Sequence, residues 1–373
     1  MQSVKMNKDN YPKLSLIGRI SSLDMLRGLM LVIITLNHLG GPIKRFTFQP
    51  LGFVSAAEGF IYLSGYVYGI VYTKTHINLA YPSLWQKSLK RSSVIYFYHI
   101  IVLLAVIALM LLNISDFQEL SNFAEHPVKS MSLFLVFLVQ PQYMDILPLY
   151  VVFILFGPVV IKAFSNNKAA IVFIISLILW FFGQDKLFQY NDFDLIKYGL
   201  EPGNFNIICW QLLFITGIYF GYLRTTGSMV IPTDKRTIGI SLLALSIFIS
   251  ARYSSEQTMF YSIFSHFSER SSLGIFRLMN FAIIAYLIYV LSQKQEWLFH
   301  SKWLSLLGRN SLQVFAFSVF LIYIFSILQP YIKSYGNLTE TLIDLILVGS
   351  LTIPAWLHQY SVKHLSIVRS LGL

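Results

Sequence analysis

Three ionisable side chains lie in the first long apolar segment, which reads SSLDMLRGLMLVIITLNHLGGP. Arg27 follows Asp24 by three residues and precedes His38 by eleven. Eleven residues make about three helical turns, so Arg27 and His38 share a face, roughly 16 Å apart along the axis. The spacing predicts an ion pair at one end and an imidazole, a possible general base, at the other. The alternative is an interfacial salt bridge and a headgroup contact.

The second apolar segment, LGFVSAAEGFIYLSGYVYGIVY, carries Glu58 in the half nearer to the His38 end of the first segment. A carboxylate beside an imidazole fixes its tautomer and raises its basicity. We therefore expect Glu58 to orient His38. The alternative is a structural hydrogen bond to a neighbouring helix, and burial calls for a partner in either case.

Further polar residues are expected at the depth of His38. Ionisable side chains cost about 2.5–3.5 kcal/mol each at the centre of a transmembrane helix, so they persist where they face a cavity, a partner or a ligand. Asp145 is the second candidate for pairing with the imidazole, and Trp210 is a candidate sugar-stacking surface. The other candidate substrate contacts are Gln211, Arg277 and Asn280.

A second polar layer, the inner layer, is expected at the depth of Asp24 and Arg27. Arg309 and Asn310 begin the ninth apolar segment there. Arginine binds phosphate groups well, so this layer is predicted to bind an anion through Arg27 and Arg309, with Asp24 and Asn310 beside them. Each of them alone is more often structural than functional, and it is their arrangement in layers that favours a site.

The scaffold that holds these residues is predicted to be an all-α integral membrane protein. Of the 373 residues, 55% are hydrophobic and 12% are charged, whereas a soluble domain carries roughly 25% charged residues. The formal net charge is +11, but the basic residues form short clusters between apolar segments, which is typical of membrane topology rather than of nucleic-acid binding. The single cysteine, Cys209, excludes disulfides and a cysteine-based metal site, and no metal is expected.

About ten transmembrane helices are predicted, because a bilayer requires roughly 20 apolar residues per helix. Their ranges are 23–40, 52–72, 93–113, 146–164, 169–183, 205–222, 236–251, 271–291, 303–328 and 341–358. An additional broken or re-entrant half-helix is predicted at 131–140, before the fourth span, because Pro141 and Pro148 interrupt the apolar stretch.

Charge in the loops predicts that both termini are cytoplasmic. Lysine and arginine dominate the segments 1–22, 73–92, 165–168, 223–235 and 359–373. Acidic residues are concentrated in the alternate segments 114–130 and 184–204. The positive-inside rule then gives a cytoplasmic segment 1–22, one transmembrane domain 23–358 and a cytoplasmic tail 359–373.

Six blocks occur in order along the chain: DMLRGL…NHLGG, AEGFIYLSGYVYG, PQYMDILPLY, FN…WQLLFITG, LGIFRLMNF and LGRNSLQVF. This series resembles the OpgC-type family of glucan succinyltransferases, part of the transmembrane acyltransferase superfamily that includes the acyltransferase-3 proteins. The blocks extend from Asp24 to Phe315, and the spacing of Arg27 and His38 is also the one associated with acyltransferase-3 proteins. The fifth block departs from the family pattern, which has a proline near Ile275.

The resemblance implies an enzyme of the bacterial inner membrane. Its donor would be acyl-CoA from the cytoplasm, with the phosphates at the inner layer and the pantetheine arm within the bundle, and its acceptor a periplasmic glucan. Succinyl is the acyl group that the resemblance implies, and such an anionic donor would need a further cation such as Arg277. Acetyl, the identity of the glycan and the oligomeric state stay open.

The mechanism that follows has His38 as general base for the acceptor hydroxyl, which attacks the thioester. Glu58, or alternatively Asp145, would orient His38, and a covalent acyl-histidine is a second route. Hydrogen-bond donors would stabilise the oxyanion, with Asn280, Gln211 and Arg277 as candidates. The competing classes are a transporter or flippase without chemistry, since broken helices and buried charges also mark transporters, and a scaffold protein.

Overall fold

The computed structural model describes residues 21–79, 81–111, 120–184 and 200–370, which form helices joined by irregular segments. The predicted segment 1–22 and the acidic residues of the loop after residue 184 fall mostly outside these ranges. The helices are α1 Ser21–Leu39, α2 Lys44–Thr47, α3 Ala56–Asn78, α4 Tyr81–Leu111, α5 Ser121–Glu125, α6 Pro127–Leu135, α7 Ile146–Ser165, α8 Ala169–Phe182, α9 Ile207–Thr226, α10 Lys235–Tyr253, α11 Met259–His266, α12 Ile275–Lys294, α13 Lys302–Arg309, α14 Ser311–Lys333, α15 Asn337–Ser350 and α16 Thr352–Ser370, with a short 3-10 helix at Glu296–Phe299.

Within the described ranges, eight helical segments are long and apolar enough to cross a membrane. They are α1, α4, α7, α9, α10, α12, α14 and the segment Asn337–Val362, which joins α15 to the start of α16. The apolar helix α8 is shorter, with 14 residues. The all-helical, multi-pass architecture is thus confirmed, while the count of ten spans and the cytoplasmic termini stay predictions.

A break precedes the fourth predicted span, although not with the predicted bounds. Helix α6 ends at Leu135 instead of covering 131–140, and the segment 136–145 is irregular. Tyr143 in this segment has φ 68°, which is unusual for an aromatic residue. Pro148 does not break α7, because it lies in the first turn, where a backbone N–H has no intrahelical acceptor to lose.

Helix α4 begins at Tyr81 rather than at residue 93, so most of the predicted basic loop 73–92 is helical. The preceding helix α3 also continues to Asn78. Three cations of this stretch therefore lie on a helix near the end of the bundle instead of in a flexible connection: Lys87, Lys90 and Arg91.

The predicted ninth span is two helices, because the chain breaks at Asn310 between α13 and α14. Helix α13 packs backbone to backbone against α1. A Cβ atom on Gly28 of α1 would collide with the Leu304 carbonyl, and a Cβ atom on Gly308 of α13 would collide with the Asp24 carbonyl. Only glycine permits this approach, which holds α13 against the Arg27 end of α1.

Helix α3 occupies the interior of the bundle and contacts α9 through small residues. Cβ atoms on Gly65 and Gly69 of α3 would collide with backbone carbonyls of α9, and the reverse holds for Gly217 and Gly221. Close backbone packing of this kind stabilises helix pairs in lipid. It also keeps the polar start of α3, with Glu58, away from the lipid.

Candidate functional site

A cavity of about 470 Å³ lies at the Arg27 end of α1, and we call it the Arg27 cavity. The Arg27 guanidinium donates to Ser311 Oγ at 2.6 Å. Its Cζ atom is 5.9 Å from the centroid of the Phe60 ring. Three further cations, all from α4, line the same cavity: Lys87, Lys90 and Arg91.

The remaining wall of the Arg27 cavity is largely apolar and aromatic. Lys87 is fixed at the rim, since its Nζ donates to Thr75 Oγ1 at 2.9 Å and lies 5.2 Å from the Tyr72 ring centroid. Lysine and arginine bind phosphate, while apolar walls accept an uncharged chain. The cavity therefore suits a ligand with an anionic head and a long neutral arm.

The other three residues of the inner layer lie beside the Arg27 cavity rather than among its lining residues. Arg309 Nε is 3.3 Å from Asp24 Oδ2. Asn310 Oδ1 is 2.8 Å from His358 Nδ1, and Asn310 Nδ2 donates to the Leu306 carbonyl at 2.9 Å. These contacts fix the junction of α13 and α14, and a role in phosphate binding stays a prediction for all three.

A second cavity of about 310 Å³ lies at the other end of α1, and we call it the His38 cavity. The His38 and Tyr143 ring centroids are 4.5 Å apart. In the described part of the chain, His38 Nδ1 is buried and has no hydrogen-bond partner. The charged residues in the same wall are Asp145, Lys44 and Arg270.

Two irregular segments, 136–145 and 200–206, form part of the wall of the His38 cavity. The Gln140 N–H donates to the Glu201 carbonyl at 2.7 Å, and the Glu201 N–H donates to the Leu138 carbonyl at 2.9 Å. A pair of backbone hydrogen bonds, rather than a helix, thus holds the two segments together.

Asp145 directly precedes α7 and lines the His38 cavity. Its Oδ2 accepts the Asn204 N–H at 2.8 Å, and Gly203, at φ 103°, packs so closely that a Cβ atom would collide with Asp145 Cβ. Burial raises the pKa of the Asp145 carboxyl, and the Asn204 hydrogen bonds and the charge of Arg270 offset part of this rise.

The two cavities share one residue, Phe315 of α14. Its ring stacks on Phe60 with centroids 6.5 Å apart, and Phe60 makes an edge contact with Tyr150 at 5.9 Å. We call these three rings the aromatic partition. The path expected for the pantetheine arm between Arg27 and His38 is therefore not one continuous cavity but two cavities that meet at an aromatic side chain.

A third cavity of about 480 Å³ shares Lys44 and Phe48 with the His38 cavity, and we call it the outer cavity. Its lining includes Arg252, Tyr253 and Glu340. Hydrogen-bonding groups and an aromatic ring are suited to contact with sugar hydroxyls and the faces of sugar rings.

Glu58 is paired with Arg277 and not with His38, which corrects the predicted carboxylate–imidazole pair. Glu58 Oε1 accepts from Arg277 Nη1 at 2.6 Å, and Glu58 Oε2 accepts from Ser55 N at 2.9 Å. Arg277 Nε also donates to the Ser268 carbonyl at 2.9 Å. Because Glu58 is in the first turn of α3, a capping box turns its carboxylate back toward Ser55.

The side chains predicted to contact the sugar and the oxyanion, Trp210, Gln211 and Asn280, instead make hydrogen bonds within the protein. Trp210 is fully buried, and its indole N–H donates to backbone carbonyls of the loop before α12, so its ring offers no stacking surface. Gln211 donates to the Ser176 carbonyl at 2.9 Å and thereby joins α8 to α9. Asn280 Oδ1 accepts the Phe53 N–H at 2.9 Å and fixes the turn before α3.

Sequence reasoning missed several residues that line the cavities. The three cations of α4 carried a usable signal, because spacings of three and four place side chains on one helix face. Lys44 and Arg270 lie in short connecting elements without periodicity, so no pattern pointed to them. Tyr143 was inside a recognised sequence block, but its contact with His38 depends on an irregular backbone.

Comparison with known proteins identifies one family. Residues 19–362 match the family model described as OpgC protein. No curated protein matches the chain, and no solved structure does. The matched range covers nearly the whole chain and includes every residue named above in the walls of the three cavities.

Proposed function

The chain belongs to the OpgC family, and on that premise we propose that it is a membrane-embedded O-acyltransferase. The proposed reaction moves a succinyl group from cytoplasmic acyl-CoA to a hydroxyl of a periplasmic glucan, across the bacterial inner membrane. Family membership implies glucan modification in general. The observation that carries the rest is that the Arg27 cavity and the His38 cavity meet at Phe315.

The donor binds in the Arg27 cavity in this proposal. Arg27 and the three cations of α4 bind the phosphates of CoA, and the apolar wall accepts the pantetheine arm. The axial separation of Arg27 and His38, roughly 16 Å from the helical rise, is comparable to the reach of that arm. The thioester then lies at the aromatic partition, and CoA does not cross the membrane.

His38 acts as general base on the acceptor hydroxyl. As a ring nitrogen takes the proton, the hydroxyl oxygen attacks the thioester carbonyl carbon. The tetrahedral intermediate then breaks the carbon–sulfur bond, and the imidazolium returns the proton to the leaving thiolate. The products are the glucan ester and free CoA. Asp145, which lines the same cavity, replaces Glu58 as the carboxylate available to orient His38.

The acceptor approaches through the outer cavity, which shares Lys44 and Phe48 with the His38 cavity. Three amide side chains line the His38 cavity: Asn37, Gln142 and Asn204. Amide N–H groups that face a developing negative charge stabilise a tetrahedral intermediate. We assign the oxyanion contacts to these amides, because they line the cavity that contains His38, whereas the earlier candidates lie outside its lining.

The test is acyl transfer by membranes that contain the His38→Ala variant. General-base catalysis contributes about 100- to 10,000-fold, so glucan-dependent CoA release is expected to fall by at least about 100-fold. Expression and binding of CoA are expected to persist, because the Arg27 cavity is untouched. His300→Ala is the matched control, since His300 is exposed, its Nδ1 is 2.8 Å from the Glu296 carbonyl oxygen, and it lines none of the three cavities.

Two results would contradict the proposal. Retained acyl transfer by His38→Ala would remove His38 from the mechanism. The absence of CoA release from any acyl-CoA by the purified wild-type protein, combined with glycan movement across vesicles, would instead identify a transporter. Mass spectrometry of envelope glycans from cells with and without the protein identifies the acyl group that is transferred.

A further inference from the structure

The His38 cavity contains two cations that the acid–base step does not use. These are Lys44 and Arg270, and in the described part of the wall Asp145 is the only acidic side chain. Among the residues that line this cavity, the cations thus outnumber the carboxylates by one, and Glu340 lies beside Lys44 only in the outer cavity. Both cations share the lining of this cavity with His38.

Arg270 is held toward the cavity by its neighbours. The Trp210 indole N–H donates to the Arg270 carbonyl at 3.2 Å, and Arg270 Cζ lies 5.2 Å from the Phe205 ring centroid. Its Nε is buried, and among the described residues it has no hydrogen-bond partner. A buried guanidinium N–H without an acceptor costs free energy, so the site favours a ligand that supplies oxygen acceptors.

The predicted cation for an anionic donor, Arg277, cannot take this role. Its guanidinium is 2.6 Å from Glu58 Oε1 and also donates to the Ser268 carbonyl. Both side chains of the pair are buried. Arg277 is therefore neutralised within the protein, whereas Arg270 faces the cavity that contains the imidazole.

The direction of donor entry determines which part of the donor meets Arg270. In the proposed function, on which this inference rests, the pantetheine arm arrives from the Arg27 cavity with the thioester foremost. The acyl chain extends beyond the thioester and is the only part of the donor that enters the His38 cavity. A cavity of about 310 Å³ is large enough for a short acyl chain together with water.

We propose that Arg270, assisted by Lys44, binds the distal carboxylate of a dicarboxylic acyl donor and thereby selects a succinyl group over neutral acyl groups of similar length. Arginine forms paired hydrogen bonds with a carboxylate, which distinguishes charge and shape together. Lys44 also lines the outer cavity, so it contributes at the boundary with the acceptor. Arg270 is the principal specificity-determining residue.

The test compares succinyl-CoA with butyryl-CoA, which has the same number of acyl carbons but no distal carboxylate. Glucan-dependent CoA release is measured for both donors with purified protein in detergent. The wild type is expected to prefer succinyl-CoA. Arg270→Gln is expected to lower the ratio of kcat/KM values, succinyl over butyryl, by about 10- to 100-fold, because a hydrogen bond to a charged group is lost.

Two further variants sharpen this experiment. Arg270→Lys keeps the charge but loses the planar pair of donors, so an intermediate ratio is expected. If Arg270→Gln fails to fold, Arg270→Lys still tests the proposal. An unchanged ratio of kcat/KM values in the lysine variant would overturn it. Arg236→Gln is the matched control, since Arg236 is exposed at the start of α10, outside the residues that line the cavities.

The outcomes separate this inference from the proposed function. An equal loss with both donors would mean that Arg270 only compensates Asp145, and it would overturn the specificity role. A wild-type protein that uses both donors equally would overturn it as well, while leaving acyl transfer intact. A wild-type protein that releases CoA from neither donor would contradict the proposed function itself.

Discussion

The Arg27 cavity and the His38 cavity, at opposite ends of α1, are built in different ways. The Arg27 cavity is walled by long helices, and its cations lie on the regular faces of α1 and α4. The His38 cavity takes much of its wall from the irregular segments 136–145 and 200–206 and from the loop with Arg270. Both cavities contact the same ring, Phe315.

This difference matches what each end has to recognise in the proposed reaction. A CoA molecule presents phosphates and a flexible arm, which a row of cations on a helix can bind. A particular acyl group and a particular hydroxyl require groups placed from several directions, and loops on a rigid scaffold provide these. In the proposed reaction the helical end would therefore supply affinity, and the irregular end would supply selectivity and chemistry.

The largest expected effect comes from removing one charge of the Glu58–Arg277 ion pair, which lies beside the His38 cavity. Glu58→Gln leaves Arg277 buried without its counter-charge, which is expected to cost about 3–5 kcal/mol. The residues that start α3 line the His38 cavity, so that end should lose its structure first. Thermal denaturation in detergent, monitored with and without CoA, measures the loss.

The matched control is Glu296→Gln, because Glu296 is exposed at the 3-10 helix. The double variant Glu58→Gln with Arg277→Met is expected to be more stable than Glu58→Gln alone, because no buried charge is left unpaired. Wild-type stability in Glu58→Gln would show that the ion pair does not hold this end of the bundle.

A smaller effect separates binding from chemistry. Arg27→Gln is expected to raise the KM for acyl-CoA by about 10- to 100-fold, since a charged hydrogen-bonding group is removed, with kcat changed much less. His38→Ala is expected to lower kcat instead. Steady-state kinetics with varied donor measures both quantities, and Lys168→Gln serves as the control for exposed positive charge. A fall in kcat alone for Arg27→Gln would contradict the division of labour.

The smallest effect concerns Asp145 and pH. Burial raises the pKa of this carboxyl in the folded protein, so the group destabilises the fold increasingly as the pH rises above the ordinary carboxyl pKa, about 4. Asp145→Asn is therefore expected to exceed the wild type in thermal stability at pH 8, with the difference shrinking as the pH falls. A difference independent of pH would show that Asp145 is not the group responsible.

Apolar runs predicted the helical membrane architecture because lipid requires long helices whatever the details of packing. Their ends were less predictable. Helix α4 begins well before its apolar stretch, at Tyr81, and the ninth span divides at Asn310. Both differences arise near helix ends, where polar residues can be helical without being inside lipid, so that hydropathy does not mark the boundary.

For the site, spacing on α1 predicted that Arg27 and His38 lie far apart along one helix, because helical rise is fixed by the backbone. Each lines its own cavity, where one continuous cavity was expected. The partners of these residues were not predictable in the same way. Glu58 is turned toward Arg277 by its position at the start of α3, and Trp210 is fully buried. Such contacts depend on the rotation of each helix about its axis and on the conformation of the loops. Neither can be read from the hydrophobic periodicity of a single sequence.

The aromatic partition has a consequence for the energy supply of the cell. A membrane protein with a cavity at each end would let protons leak across the membrane if the two cavities were joined by water. In the described part of the chain, the two cavities are separate and share the ring of Phe315, which packs on Phe60 and through it on Tyr150. In the proposed reaction, an acyl group would pass from one carrier to another at this partition, without an open channel through the membrane.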